Sequence, residues 1–204
     1  GFDCDRMAKE RLKHFVSKEG FNIDGFGKKI VENFWDLKLI RLPQDIFNLN
    51  YKKIESLDGW GKQSVLNLKY AIDDKKNISF ERFIYSLGIR HIGFENAKLI
   101  AKTLKSSESF VHLSKDDKFD DLLNIDGIGE TQINSIKNFF KNKTNLNIIN
   151  NLQKILNIKK AIENKKGGIL SNKTFMLTGK LNGISRAEAK SLIEKNSGSI
   201  ISNV

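Results

Sequence analysis

One pattern, apolar–x–Gly–apolar–Gly–x–x–x–apolar, recurs along this chain and restricts what it can fold into. Three copies are complete: Ile23-Asp24-Gly25-Phe26-Gly27 with Val31, Leu57-Asp58-Gly59-Trp60-Gly61 with Val65, and Ile125-Asp126-Gly127-Ile128-Gly129 with Ile133. A fourth, Ile89-Arg90-His91-Ile92-Gly93 with Ala97, carries His91 where the others have their first glycine. The last glycines fall at 27, 61, 93 and 129, so the period runs from 32 to 36 residues. Seven residues past each comes another apolar residue: Phe34, Leu68, Ile100 and Ile136. Apolar positions four and seven residues beyond a glycine share one helix face. The pattern predicts a tight glycine hairpin feeding an amphipathic helix, four times over. One such unit has too little apolar surface to be stable alone, whereas stacked neighbours bury a shared core. The connectors between units imply that the hairpins pack two by two.

Each hairpin would direct backbone N–H groups outward at a helix N-terminus, where the helix dipole helps to hold a phosphate. Cations stand at the same places: Lys28 and Lys29 after the first hairpin, Lys62 after the second, Arg90 and His91 within the third. The fourth hairpin is followed by Glu130, with Thr131 and Gln132 as neutral donors. The candidate phosphate-gripping residues are therefore Gly25, Gly27, Lys28, Lys29, Gly59, Gly61, Lys62, Arg90, His91, Gly93, Gly127, Gly129 and Thr131. A net charge of +11 favours an anionic partner, either nucleic acid or an acidic membrane surface. Base-composition bias in the genome is an equal source of the lysine excess, so the charge weighs mainly in combination with the hairpins. Phosphate contacts position a protein without reading sequence, so the expected partner is duplex DNA bound nonspecifically.

The residue between the two glycines is apolar in every unit: Phe26, Trp60, Ile92, Ile128. It either plugs the space between helices or stacks on a base, the second reading being most tempting for Trp60. Asp24, Asp58 and Asp126 read as turn-formers bonding local N–H groups, with metal ligation the alternative.

At 204 residues the chain has room for one large domain or two small ones. Hydrophobic residues make up 39% and charged residues 29%, which excludes a disordered chain. No apolar run approaches the roughly 20 residues of a membrane helix, and no signal peptide is visible. The start at Gly1-Phe2, without methionine, reads as a fragment or a processed product. Cys4 is the lone cysteine; it excludes an internal disulfide and points to a cytoplasmic protein. Structural zinc needs four ligands, so Cys4 is either an ordinary residue or has partners upstream. His14, His91 and His112 form no ligand pattern with it. No Walker loop, paired-carboxylate motif or nucleotidyl-transfer lysine is present, and nothing demands a dimer, so a monomer is expected.

Helices are predicted over residues 7–18, 28–39, 62–73, 79–87, 94–104, 130–140 and 145–157, with short connecting helices in 43–57 and at 107–113 and 116–124. Leu12, Phe15 and Val16 share the inner face of the first. The cluster at 73–77 breaks the pattern. Composition changes after Ala161: residues 162–168 have linker character. Residues 174–178 then read as a buried strand. Residues 179–185 form a loop, and 186–196 a helix with Ala187, Ala189, Leu192 and Ile193 inward. A second strand starts at Ser199. This β–α–β opening predicts a parallel sheet.

Lys13-His14-Phe15-Val16-Ser17, running into Asn22-Ile23-Asp24-Gly25-Phe26-Gly27, resembles the entry to the helix-hairpin-helix domain of bacterial NAD-dependent DNA ligases. Ser86-Leu87-Gly88-Ile89-Arg90-His91-Ile92-Gly93 is similar to the third hairpin of that family, although Phe94 stands before Glu95 where the family begins with glutamate. Lys173-Thr174-Phe175-Met176-Leu177-Thr178-Gly179-Lys180-Leu181 with Ser185-Arg186-Ala187-Glu188-Ala189 resembles the start of its BRCT domain. The resemblance covers nearly the whole chain in the correct order. It implies a mainly α fold of tandem helix-hairpin-helix repeats, followed by the truncated β-α-β start of an α/β BRCT domain. The implied boundaries are 1–18 for a zinc-finger tail and entry helix, 19–161 for four hairpins, 162–170 for a linker and 171–204 for the BRCT portion.

In that family Cys4 would be the last ligand of a four-cysteine zinc finger. The family seals nicks in replication and repair: a lysine is adenylated from NAD, AMP passes to the 5′-phosphate, and the ends are joined with magnesium. The adenylation site would lie outside this chain, which would supply the grip on nicked duplex DNA. Thr178-Gly179 stands where some BRCT domains bind phosphoserine or DNA ends, or is a plain structural turn. A free-standing helix-hairpin-helix DNA- or junction-binding module, and a protein-interaction scaffold, are the competing readings.

Overall fold

The helices expected after the four hairpins are all present in the computed structural model, which describes residues 5–116, 118–161, 168–171, 173–177, 189, 192–193 and 196–201. Two compact units divide the chain, Gly1–Ala161 and Ile162–Val204. In the first, α1 (Asp5–Phe15), α2 (Lys28–Asp36), α3 (Tyr51–Glu55), α4 (Lys62–Asp74), α5 (Phe80–Ser86), α6 (Phe94–Leu104), α7 (Ser107–Asp116), α8 (Glu130–Lys141) and α9 (Lys143–Ile155) surround one apolar core. Short 3-10 helices at Pro43–Asn48 and Phe119–Asn124 occupy the connectors. The residues placed inward by spacing are buried: Val31 and Phe34 on α2, Val65, Leu68 and Ile72 on α4, Ala97 and Ile100 on α6, Ile133 and Ile136 on α8.

α1 lies across both halves of this unit. Leu12, Phe15 and the following Val16 are buried as expected. Arg11 donates to Leu87 O at 3.1 Å and Asn145 Oδ1 at 3.4 Å, and buried Asn145 in turn donates to Phe139 O at 2.9 Å. One guanidinium thus joins α1 to the end of α5 and to the α8–α9 corner. After α1 the chain folds back through Gly20, where a Cβ would stand 2.5 Å from Phe15 O. Arg82 donates to Gly20 O at 2.9 Å and holds the reversal, and Phe21 stacks on Phe15 with ring centroids 4.2 Å apart.

Several boundaries differ from expectation. α2 stops at Asp36 rather than near 39 because Lys38 turns left-handed, at φ +56°. Lys38 N–H then bonds Trp35 O at 2.9 Å and Leu39 N–H bonds Phe34 O at 2.8 Å, which closes the helix end without a glycine. The break at 73–77 ends in a strand, β1 (Asn77–Ser79), that pairs in parallel with β2 (Asn157–Lys159), Ile78 opposite Ile158. Neither strand was expected. They tie the chain after α9 back to the middle of the unit, and Asn157 Nδ2 donates to Asn77 Oδ1 at 2.8 Å across the pair.

The second unit contains a parallel pair, β3 (Thr174–Met176) and β4 (Ser199–Ile201), with Phe175 opposite Ile200. Residues 189 and 192–193 between them are helical, so the described residues form a β-α-β element. Ala189 and Ile193 are buried as expected, but Leu192 is half exposed, because it neighbours Ile193 on a helix and faces another direction. β3 is not a buried strand: Met176 is 50% exposed and Phe175 only partly covered. Gly198 allows the return, since a Cβ there would lie 2.7 Å from Ile193 Cγ2. Ala187, Thr178 and Gly179 lie outside the described residues. The fold is mainly α-helical with a C-terminal pair of short parallel strands.

Candidate nucleic-acid interface

All four hairpins share one backbone design. A turn bond closes each: Phe26 N to Ile23 O at 3.1 Å, Trp60 N to Leu57 O at 3.1 Å, Ile92 N to Ile89 O at 3.1 Å and Ile128 N to Ile125 O at 3.0 Å. The third residue of each turn is left-handed: Gly25 at φ +70°, Gly59 at +81°, His91 at +61° and Gly127 at +88°. A turn of this kind requires positive φ there, which an L side chain adopts at a cost of about 1–2 kcal/mol. The second glycine is different. Gly27, Gly61, Gly93 and Gly129 are helix N-caps in ordinary extended conformation, and their carbonyls accept the first helical bonds, from Val31, Val65, Ala97 and Ile133 at 2.9–3.1 Å.

The hairpins pack in pairs. Phe34 of α2 touches both Phe26 of its own hairpin and Trp60 of the next, each with ring centroids 5.5 Å apart. In the second pair, Gly127 sits against Leu99 of α6, whose Cδ1 would be 3.2 Å from a Cβ. His91 Nδ1 is 3.1 Å from Ser135 Oγ of α8. Phe26, Ile92 and Ile128 are buried, as the plug reading expects, and have no face open to a base; Trp60 is half-buried against the core. The aspartate reading needs correction. Asp24, Asp58 and Asp126 are exposed, and among the described residues none of their carboxylates accepts a hydrogen bond; the backbone and the left-handed residue make the turn instead.

The thirteen candidate residues are all exposed. Lys28, Lys29, Lys62 and Arg90 carry no ion pair among the described residues, whereas Lys9, Lys13 and Lys137 elsewhere are paired with carboxylates. On hairpins 1 to 3 no acceptor within the described residues takes the N–H of the capping glycine. Hairpin 4 departs: Gln132 Oε1 accepts from Gly129 N at 3.1 Å, and Glu130 puts a carboxylate beside it. Of the four hairpin ends it is therefore the least favourable to an anion. Sequence reasoning placed Gln132 as a donor; here its Oε1 is turned back as an acceptor to the capping N–H, while Nε2 keeps its donors. It missed Ser135 and Asn96, whose Nδ2 donates to His91 O at 3.2 Å, because both act across a turn or between helices.

A groove of about 360 Å³ opens between α1 and the entry to hairpin 3, with Glu10 and His14 in its wall. Neither is arranged for acid–base work. Glu10 is bonded to Lys13 at 2.7 Å, which holds its carboxyl below the ordinary range, and His14 Nε2 is 2.8 Å from Tyr85 O. Among the described residues no three His, Cys, Asp or Glu side chains converge as a metal site, and Cys4 lies outside those residues. No helix among them is long and apolar enough to cross a membrane.

The model of the helix-hairpin-helix motif matches residues 82–149, which hold hairpins 3 and 4. The chain is 70% identical over its full length to a DNA ligase of Pelagibacter ubique (strain HTCC1062), and covers 30% of that protein. It is 42% identical over its full length to a DNA ligase of Rickettsia bellii (strain OSU 85-389), covering 31% of it. It is 43% identical over 96% of its length to a DNA ligase of Rickettsia rickettsii (strain Sheila Smith), covering 30% of it. The chain thus spans under a third of the length of these curated relatives. With paired glycine hairpins at residues where the motif model matches, this is a DNA-ligase family protein, and the chain corresponds to the region of that family that carries the helix-hairpin-helix motif.

Proposed function

We propose that this chain grips nicked duplex DNA without reading its sequence, as the DNA-binding portion of an NAD-dependent DNA ligase that seals nicks in replication and repair. The observation that carries this is the second glycine of the hairpins. At Gly27, Gly61 and Gly93 the backbone is extended and a Cβ would meet nothing within 4 Å. Neither conformation nor packing within the chain calls for glycine at these sites. Serine, aspartate and asparagine cap helices better. What glycine provides is bare backbone that another molecule can approach closely. Free N–H groups at the start of helices of nine to thirteen residues, unpaired cations beside them and a net charge of +11 make that molecule a polyphosphate. The ligase relatives support DNA as that polyphosphate.

On the same reading, residues 1–18 are a zinc-finger tail with its entry helix, 19–161 the helix-hairpin-helix domain, 162–170 a linker and 171–204 the start of a BRCT domain. The protein is cytoplasmic and monomeric. Zinc would be held by Cys4 with ligands from other parts of the enzyme; the residues described here do not fit a zinc or magnesium site by themselves, and no chemical step is assigned to one. The adenylation lysine and the NAD pocket belong to other parts of the enzyme as well. This chain holds the duplex and does not join it.

Fluorescence anisotropy with labelled duplexes of unrelated sequence tests the reading. With about six phosphates contacted, affinity falls on the order of a thousandfold between about 50 and 200 mM salt, equally for every sequence. A flat salt dependence, or a covalent AMP adduct on this chain after incubation with NAD, would contradict it.

A further inference from the structure

The third hairpin differs from its sisters in presenting a side chain at the turn, and that side chain is held. His91 occupies the left-handed corner that Gly25, Gly59 and Gly127 occupy in the other three. Ser135 Oγ donates to Thr131 O at 2.9 Å. A serine hydroxyl has a single proton, so with that proton on Thr131 O the 3.1 Å contact with the same oxygen is one that His91 Nδ1–H donates. This fixes the imidazole with Nδ1–H toward α8 and Nε2 as its free pole. His91 is exposed, and Nε2 has no hydrogen-bond partner among the described residues. Asn96 pins the backbone of the same corner through His91 O. The corner is thus held from α6 and from α8, the helix that follows hairpin 4.

We propose that Nε2 of His91 grips a backbone phosphate of duplex DNA, and that Ser135 is the residue that positions it. This rests on the reading of the hairpins as phosphate grips. A phosphate at neutral pH offers only acceptors, so the contact needs a proton on Nε2. Nδ1 keeps its own proton for Ser135, so the bound ring is the imidazolium and the added proton comes from solvent. The charged groups on the elements packed here are Arg90 on the hairpin itself, Glu95 and Lys98 on α6, ion-paired at 2.9 Å, with Lys102 further along it, and on α8 Glu130 at its start, Lys137, which is paired with Asp120, and Lys141. Where its sisters have a bare glycine at this corner, hairpin 3 adds a charge that appears when DNA arrives.

Imidazole ¹⁵N NMR of the chain at about pH 8 reads the protonation state of a histidine directly. The His91 signals are those lost in His91→Gly, a variant that restores the residue of the other three hairpins. Free protein is expected to show Nδ1 protonated and Nε2 bare; with saturating mixed-sequence duplex both nitrogens are protonated. His91→Gly and Ser135→Ala each weaken duplex binding roughly three- to tenfold. The double variant is no weaker than the weaker single, and Ser135→Thr, which returns the hydroxyl, recovers the affinity. A neutral His91 ring in the complex, or additive losses in the double variant, would overturn the proposal. Gly61→Asp on hairpin 2 separates the two readings. If it too leaves binding intact, the phosphate grip itself fails; if it weakens binding while His91 stays neutral, only the role of His91 and Ser135 fails.

Discussion

The two glycines of a hairpin hold their places for different physical reasons, and stability measurements can separate them. Gly59 stands at φ +81°, so Gly59→Ala should cost about 1–2 kcal/mol in urea unfolding. Gly61 is an extended N-cap with open space around its Cα, so Gly61→Ser should leave stability within about 0.5 kcal/mol of the parent, or raise it slightly. Equal losses at both positions would mean that the second glycine also serves the fold. The sequence showed both glycines but not this division, because φ is not written in a residue name. His91 was visible as a departure from the pattern. Its holder was not: Ser135 is 44 residues away, and a serine on a helix carries no periodic signal. The aspartates before the first glycine looked like local hydrogen-bond formers by residue type alone, and the closed backbone turn leaves them nothing to do.

Among the elements, the helices were legible because burial at every third or fourth residue is a repeated signal. Their ends were less so. α2 closes on Lys38 rather than on a glycine, since the bonds to Phe34 and Trp35 offset the left-handed strain. β1 and β2 were missed because three-residue strands have too few positions to show alternation, and their pairing joins Asn77 to Asn157 across the length of the unit. Arg11 is the corresponding case among side chains: no periodicity marks it, yet it joins α1 to the end of α5 and to α9. Arg11→Met keeps the apolar stem and removes the donors. It should destabilise the first unit by about 2 kcal/mol, because Leu87 O and Asn145 Oδ1 lose a charged partner in a half-buried place. Chemical denaturation checks this; a loss within error would assign the junction to apolar packing alone.

At the scale of the whole molecule, the proposed function makes repetition the working device. A single exposed phosphate grip is weak against salt, while several tied to one core act together, and the shared core through Phe34, Trp60, Leu99 and Gly127 fixes their spacing within each pair. On that reading the hairpins are graded: hairpins 1 and 2 offer free backbone with lysines, hairpin 3 adds Arg90 and His91, and hairpin 4 turns its capping N–H to Gln132. The repeat period announced this architecture in the sequence, whereas the grading depends on hydrogen bonds that only the folded chain contains. The central claim is that bare backbone at the capping glycines meets phosphate. Duplex affinity of Gly61→Asp, with folding verified by circular dichroism, tests it most directly. Aspartate suits the N-cap and meets no atom of this chain, so the fold should persist while a side chain and a negative charge enter the space meant for phosphate. The account predicts that Gly61→Asp weakens duplex binding more than Lys62→Ala, which removes one screened charge worth about 1 kcal/mol or less. A folded Gly61→Asp protein that binds duplex as tightly as the parent would contradict it.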